Sequence, residues 1–364
     1  MELFKQFAPL SLHPLFWGLL GLMCGITGQF LPLTWPHYTF ITMISLCIAW
    51  ILQNYKPLFL FFFCIGLGYF LAWNQHQLYM NALLPSSDFL KASIDDVTKT
   101  GNPQWAFRTR ISWHTNIICL PIFKKYAYVY SRKKPYDKVG DIVLIEEISF
   151  KRPPLGDFKK YLIKEGVCAT AFSHCLKTIL IERPAWSWIR FLHETKNSLL
   201  ETLKRSLSPL TFSLFCSLFM GETHRAFYKL EEERVDFKIW GIVHHLARSG
   251  LHLAIFIYCW FLLLSFLPLP FWAKHTLLGI VSVIYFLLST PSISFIRAFH
   301  LLVIFTVARI FKLPIDAVHA VTLSALLTLL HNPYQLFFLD FQLSFFLTFC
   351  LAWVSRLDKQ KRAP

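Results

Sequence analysis

The sequence predicts a mainly α protein, a polytopic membrane helix bundle with a small β domain inserted between two membrane blocks. Three observations lead there. Hydrophobic residues make up 55% and charged residues 16% of the 364 positions, where globular domains hold about 45–50% and about 25%. Apolar stretches of about 20 residues, enough to cross a hydrocarbon core, recur before residue 74 and after residue 241. Between them, the pattern changes to short alternating runs broken by turn signals.

Residues 1–73 form the N-terminal membrane block, read as three helices. Lys5 precedes an apolar stretch too long for a leader, so the first helix is expected to be retained over Pro14–Leu33. Two further spans are expected near His37–Gln53 and Pro57–Trp73, divided by Asn54-Tyr55-Lys56.

The β domain is expected over 74–185. Its strand signals are Trp105 to Ile111, Tyr126 to Tyr130 and Asp141 to Ile145. Gly101-Asn102-Pro103, Lys134-Pro135-Tyr136-Asp137, Val139-Gly140-Asp141 and Pro153-Pro154-Leu155-Gly156 supply the turns. Short strands with such punctuation suggest a small barrel or sandwich. Residues 74–206 carry 21 Lys plus Arg against 12 Asp plus Glu, a net +9.

Residues 186–240 read as an interfacial segment. From Trp186 to Leu207, Leu192, Leu199, Leu203 and Leu207 share a helix face, while Arg190, Lys196, Lys204 and Arg205 carry charge. That is the pattern of a helix lying on a membrane surface. Leu210 to Met220 is apolar but too short to cross, so a re-entrant or interfacial hairpin is expected. About five helices follow in 241–355, near 242–267, 275–290, 292–311, 313–331 and 335–355, with a basic cytoplasmic tail at 356–364. With eight crossings, Lys5, Lys56, Lys274, Lys312 and the tail all fall inside, which agrees with the positive-inside rule. The 74–206 region is then extracytoplasmic, and both termini are cytoplasmic.

The chain carries 36 Lys plus Arg against 21 Asp plus Glu, formally +15. That excess fits an anionic partner, either lipid headgroups or nucleic acid. The nine cysteines include no Cys-x-x-Cys pair, and six lie in apolar segments as small hydrophobes. Cys119, Cys168 and Cys175 lie in the soluble region, where an oxidising compartment would permit one disulfide.

Three polar clusters interrupt the second membrane block. His244-His245-Leu246-Ala247-Arg248-Ser249-Gly250-Leu251-His252-Leu253 puts His245 and His252 on one helix face, with Ser249 and Gly250 as a small-residue patch. This pattern suits a polar transport path or a helix-packing site with bonded histidines; a metal site would need a third ligand such as Glu222. Thr290-Pro291-Ser292-Ile293-Ser294-Phe295-Ile296-Arg297-Ala298-Phe299-His300 sets Arg297 and His300 one turn apart. Arg297 could hold phosphate bidentately at a pore mouth or snorkel to the interface. Asp340-Phe341-Gln342-Leu343-Ser344-Phe345 offers an acid that could pair with Arg297 or a histidine, and Gln342 and Ser344 as hydrogen-bond partners between helices.

These three segments resemble, in order, the His-Leu-Leu-Ala-Ile-Ser-Gly-Leu-His, Pro-Ser-x-x-Arg-Ala and Gly-Phe-Gln-Leu-Ser-Phe motifs of the ComEC-type competence proteins. Arg248 and Asp340 depart from the pattern, as do His245 at the second position of the first motif and the spacing from Ser292 to Arg297, four intervening residues where the family motif has two. Pro154 to Leu162 resembles the family's Pro-Gly-x-Phe-Asp-x-x-x-Tyr-Leu pattern, which implies an OB-like fold for the β domain. The resemblance covers most of residues 10–355. Fuller members continue into more helices and a metallo-β-lactamase-like domain. This sequence ends at Pro364 without a His-x-His-x-Asp-His cluster, so a short form is expected, either natural or one piece of a split gene.

The resemblance implies a multi-pass protein of the bacterial inner membrane, a channel component passing single-stranded DNA inward during natural transformation. Its path candidates are His245, Arg248, Ser249, His252, Arg297, His300, Asp340, Gln342 and Ser344. Outer DNA-binding candidates are Tyr128, Tyr130, Arg132, Lys133 and Lys134, where aromatic and basic residues interleave; strand-core tyrosines beside a solvated turn are the alternative. The partners implied are single-stranded DNA and membrane lipids, with other competence proteins, a cytoplasmic motor and a second copy of the chain as further candidates. No catalytic residue, metal or cofactor is expected, and no Gly-x-x-x-x-Gly-Lys phosphate loop occurs. Two other readings stay open: a membrane-embedded metal-dependent hydrolase using Glu222, His245 and His252, and a transport-inactive scaffold or truncated family member.

Overall fold

A computed structural model describes residues 14–28, 44, 56–80, 89–99, 107–113, 125–133, 138–146, 150–151, 157–173, 177–184, 186–221, 239, 250–290 and 292–362. The chain divides into two compact units. One comprises residues 1–74, 249–283 and 291–364, and the other residues 75–248 and 284–290. The expected span at His37–Gln53 lies, apart from Ile44, outside the described residues.

The helical unit holds α1 (Pro14–Gly28), the first part of α2 (Lys56–Met80), α6 (Gly250–Ser265), most of α7 (Phe271–Leu288), α8 (Ile293–Ile310), α9 (Ala317–His331) and α10 (Leu339–Arg362). Its interior gathers Leu22 and Ile26 of α1, Cys64 and Ala72 of α2, Ile293 of α8, Val321, Ala325 and Leu329 of α9, and Phe341 and Phe345 of α10. Helices α1 and α2 touch backbone to backbone. A Cβ on Gly21 would lie 2.1 Å from Phe61 O, one on Gly25 2.1 Å from Ile65 O, and one on Gly68 2.4 Å from Leu22 O. Gly21 and Gly25 are four apart and share a face, the spacing that lets membrane helices approach closely.

Helices α7 and α8 are long and apolar enough to cross a membrane, and α1, α6 and α9 are shorter apolar helices. Helix α2 runs to Met80, seven residues beyond the expected span, and α10 continues through the expected tail as far as Arg362. Pro333–Phe337 forms a 3-10 turn between α9 and α10, capped by Asn332, whose Oδ1 accepts from Tyr334 N.

The second unit is built on a seven-stranded mixed sheet: β1 (Phe89–Lys99), β2 (Phe107–Trp113), β3 (Lys125–Ser131), β4 (Ile142–Glu146), β5 (Phe150–Lys151), β6 (Val167–Ser173) and β7 (Thr178–Glu182), in the order β5-β6-β3-β2-β1-β4-β7. β1 has a register shift between Ile94 and Asp96. Its first half pairs with β4 and its second with β2, because a bulge bends a long strand. β6 runs parallel to β3 and antiparallel to β5, which begins four residues after β4 ends. Pairing therefore travels from β4 through β1, β2, β3 and β6 to β5, with β7 on the far side of β4.

The core of this unit gathers Ala92, Ile94, Ile111, Ala127, Val129, Val143, Ile145, Ala169 and Ala171. α3 (Asp157–Lys164) lies over the outer face, where Leu162 packs with Tyr128 and Val167. Cys168 is buried, with its Sγ 3.8 Å from Gly166 O, while Cys119 and Cys175 lie outside the described residues.

α4 (Trp188–Ser206) matches the expected amphipathic helix; Ser187 caps it by accepting from Arg190 N. α5 (Pro209–Phe215) follows, capped by Ser208, and continues as a π turn at Cys216–Met220. Gly221 ends that turn with φ +73°. The turn is anchored by Tyr285, whose hydroxyl donates to Phe219 O at 2.8 Å, and by Thr290, whose N–H and Oγ1 both donate to Met220 O.

Candidate functional site

The described parts of the three membrane-block motifs meet at α8. Ser292 is the N-cap of that helix, accepting from Phe295 N at 3.3 Å. Arg297, five residues in, reaches α10, where Nη1 donates to Ser344 O and to Thr348 Oγ1. Its guanidinium carbon is 6.0 Å from the Phe345 ring centroid. Ser294 Oγ lies 3.3 Å from Ser344 Oγ on the same side. One turn on, His300 Nδ1 faces α9 instead, 3.4 Å from Ser324 Oγ and 3.5 Å from Thr328 Oγ1.

The first motif meets the same helix. A Cβ on Gly250 of α6 would sit 3.0 Å from Ala298 Cβ and 3.4 Å from Ser294 O. Ser294 thus has Gly250 of α6 on one side and Ser344 of α10 on the other. His252 is half-buried on α6, whereas His245, Arg248 and Ser249 lie outside the described residues.

The third motif separates into different tasks. Phe341 and Phe345 are buried and in ring contact at 4.6 Å. Gln342 donates to Leu336 O at 2.9 Å, which ties α10 to the 3-10 turn rather than to another helix. Asp340 is exposed in the first turn of α10, where a carboxylate suits the helix dipole. Among the described residues no ion pair joins it to Arg297, so the pairing considered from sequence is replaced by an arginine–carbonyl bond.

The β unit carries a second polar surface. Tyr126, Tyr128 and Tyr130 alternate along one face of β3 while Ala127 and Val129 of the other face join the core. Arg108 and Arg110 of β2 lie over this row, Arg110 at 3.7 Å from the Tyr126 centroid and Arg108 at 4.7 Å from that of Tyr128. Tyr128 is only 4% exposed, enclosed by Leu162 and Val167 of the same cluster, and burial pushes its hydroxyl up to about 12. It is therefore a core residue of this face and cannot stack on an incoming base, a correction to its reading as an outer contact. Arg132 and Lys133 are exposed at the end of β3, and Lys134 lies outside the described residues.

Arg108, Arg110, Tyr161 and Phe172 were not singled out by sequence. Their signal was present in the alternation of Phe107-Arg108-Thr109-Arg110-Ile111, but the pairing partner of β2 was needed to read it. Among the described residues no group of three His, Cys, Asp or Glu side chains is placed to hold a metal ion, and Glu222 lies outside them.

Residues 218–363, which contain all three motifs, match the family model described as Competence protein. The chain is similar to ComE operon protein 3 of Bacillus subtilis (strain 168), 26% identical over 212 residues, which are 57% of this chain and 26% of that protein. The chain thus spans about a quarter of the length of the curated relative it matches. No solved structure matches.

Proposed function

We propose that this chain is a multi-pass component of the bacterial inner membrane that carries single-stranded DNA inward during natural transformation. The observation that carries the reading is Arg297, a cation inside an apolar helix, bonded to a carbonyl and a hydroxyl rather than to a carboxylate. A fixed guanidinium of this kind can accept phosphate oxygens in passage.

Large apolar side chains face outward on α6, α7 and α10, including Tyr258, Leu263, Trp272 and Leu351. Soluble proteins seldom leave such a surface bare, and lipid would cover it. Membrane spanning by more than the two longest apolar helices is therefore part of the proposal. So is an extracytoplasmic β unit lying against the outer leaflet, with Trp186, Trp188 and Phe191 exposed beside the start of α4. The strand pairing, with a bent β1 shared by two neighbours and β6 parallel to β3, supports an OB-like reading of that unit.

The test is transformation in cells whose own copy carries Arg297→Gln. Uptake of labelled DNA is expected to be lost while the protein reaches the membrane at normal levels, and Arg297→Lys is expected to keep partial uptake. Unchanged uptake in Arg297→Gln removes the residue from the path.

A further inference from the structure

Only residues 289–292 separate α7 from α8, so the two helices run antiparallel and the start of α7 lies level with the end of α8. Three cations stand at that end: Lys274 in the first turn of α7, Arg309 in the last turn of α8, and Lys312 just beyond it. Arg309 and Lys312 are exposed and Lys274 is half-buried. Among the described residues none of the three side chains has an ion-pair partner, and Asp316, the acid nearest to Lys312 in sequence, pairs with Arg356 at 3.4 Å instead.

Helix stability does not account for the two lysines. A cation in the first turn opposes the helix dipole, and Lys274 stands there. Lys312 belongs to the turn that closes α8, where Leu313 N–H donates to Ala308 O at 2.8 Å and Lys312 N–H to Arg309 O at 3.4 Å. Its φ is +54°, a left-handed conformation that glycine adopts freely and that strains a residue with a Cβ. Among the described residues no other non-glycine has a positive φ. A lysine kept where glycine would relax the backbone points to a use for its ammonium group. Close by, His275 is buried against the Phe271 ring, with centroids 4.2 Å apart, and neither ring nitrogen has a hydrogen-bond partner. Arg309 is near enough for its charge to act on that imidazole. Phe271, Trp272 and Phe311 are exposed at the same end, as aromatic side chains are where helices meet headgroups.

We infer that this end of α7 and α8 binds the phosphate of an anionic phospholipid, held by Lys274, Arg309 and Lys312, while the acyl chains cover Trp272 and Phe311. The inference rests on the membrane-spanning reading above and adds a lipid partner of defined charge. Guanidinium and ammonium groups both bind phosphate oxygens. Among the described helices α7 and α8 are the two long and apolar enough to cross a membrane, which sets their shared end at headgroup level. That position favours a lipid phosphate over the phosphates of a nucleic-acid strand.

The experiment uses the full chain in detergent, titrated with phosphatidylglycerol or phosphatidylethanolamine and read as lipid adducts by native mass spectrometry. Phosphatidylglycerol is expected to bind at lower concentration than phosphatidylethanolamine. Arg309→Gln and Lys274→Gln should each weaken phosphatidylglycerol binding about fivefold and leave phosphatidylethanolamine unchanged. Lys312→Gly should weaken it to a similar degree while the unfolding temperature stays level or rises, because the strained backbone is relaxed. Equal binding of the two lipids by the native chain overturns the inference, as does a native preference in the triple variant. Displacement of phosphatidylglycerol by oligothymidylate would make the site a nucleic-acid contact and overturn it too. Failure here is separable from failure of the channel reading, because adducts in detergent need no transport. Arg297→Gln protein that loses uptake but keeps the lipid preference leaves the site intact, and a native chain without the preference removes the site but not the channel.

Discussion

Asp141 is fully buried, and Arg190 donates to its Oδ1 at 2.7 Å from the first turn of α4. Arg183, just past β7, holds Oδ2 at 2.8 Å, and the Lys138 amide donates to the same oxygen at 3.0 Å. One carboxylate therefore joins the start of β4, the end of β7 and the start of α4. Gly140 makes the approach feasible. Its φ is +87°, and a Cβ there would meet Ser187 Oγ at 2.9 Å.

Burial pushes the Asp141 carboxyl up, but the Arg183 bonds, the Lys138 amide and the two arginine charges outweigh it, so the net direction is down. A lowered folded-state value means the stabilisation is complete above the unfolded value, about 3.9, and is lost as pH falls through the folded value. Melting of the full chain in detergent should be insensitive to this group above about pH 5 and weaken below about pH 4. Arg190→Ala, which leaves a buried charge half-compensated, should cost about 3 kcal/mol. Arg183→Ala should cost under about 1 kcal/mol, because its side chain is half exposed. Equal losses for the two would contradict the assigned roles.

Arg297 is expected to depend on Thr348 and not on Asp340. Thr348→Val removes one of its two acceptors and should reduce DNA uptake severalfold with little change in abundance. Asp340→Asn should neither lower abundance nor rescue Arg297→Gln, because no ion pair joins Arg297 and Asp340. Rescue in that double variant, read from membrane abundance and uptake together, would restore the ion-pair account.

The contact between α6 and α8 predicts a paired effect. Gly250→Val should destabilise the helical unit by about 1–3 kcal/mol through overpacking against Ala298. Adding Ala298→Gly should recover part of it, since the clash is with that methyl. Gly21→Val should be worse and resist such repair, because its obstacle is the Phe61 carbonyl oxygen. Detergent melts of the four proteins would check the ordering.

Topology is checked by reporter fusions at Lys134 and Pro364. An extracytoplasmic signal is expected from the first and a cytoplasmic one from the second. A cytoplasmic Lys134 fusion would sink the outer role of the β unit.

Local chemistry was legible in the sequence where it depends on neighbours along the chain. The amphipathic stripe of Trp188–Ser206, the strands at Phe107–Trp113, Lys125–Ser131 and Ile142–Glu146, and the apolar helices after residue 250 all follow from periodicity and turn residues. The motif residues announced that something polar lies within the second membrane block. Which partner each takes could not be read there. Arg297 and Asp340 carry opposite charge, so a one-dimensional reading pairs them, yet the helix packing turns Arg297 to a carbonyl one turn further along α10. Tyr128 and Tyr130 are two residues apart and alike in sequence, but α3 closes over one and leaves the other beside exposed Phe172. Gly21 and Gly25 show the same limit from the other side: their spacing is printed in the chain, and only the crossing of α1 over α2 reveals what fills the space. Periodicity is a property of one element, so the sequence determines elements and their faces. Burial and bonding belong to pairs of elements, and the tertiary structure decides them.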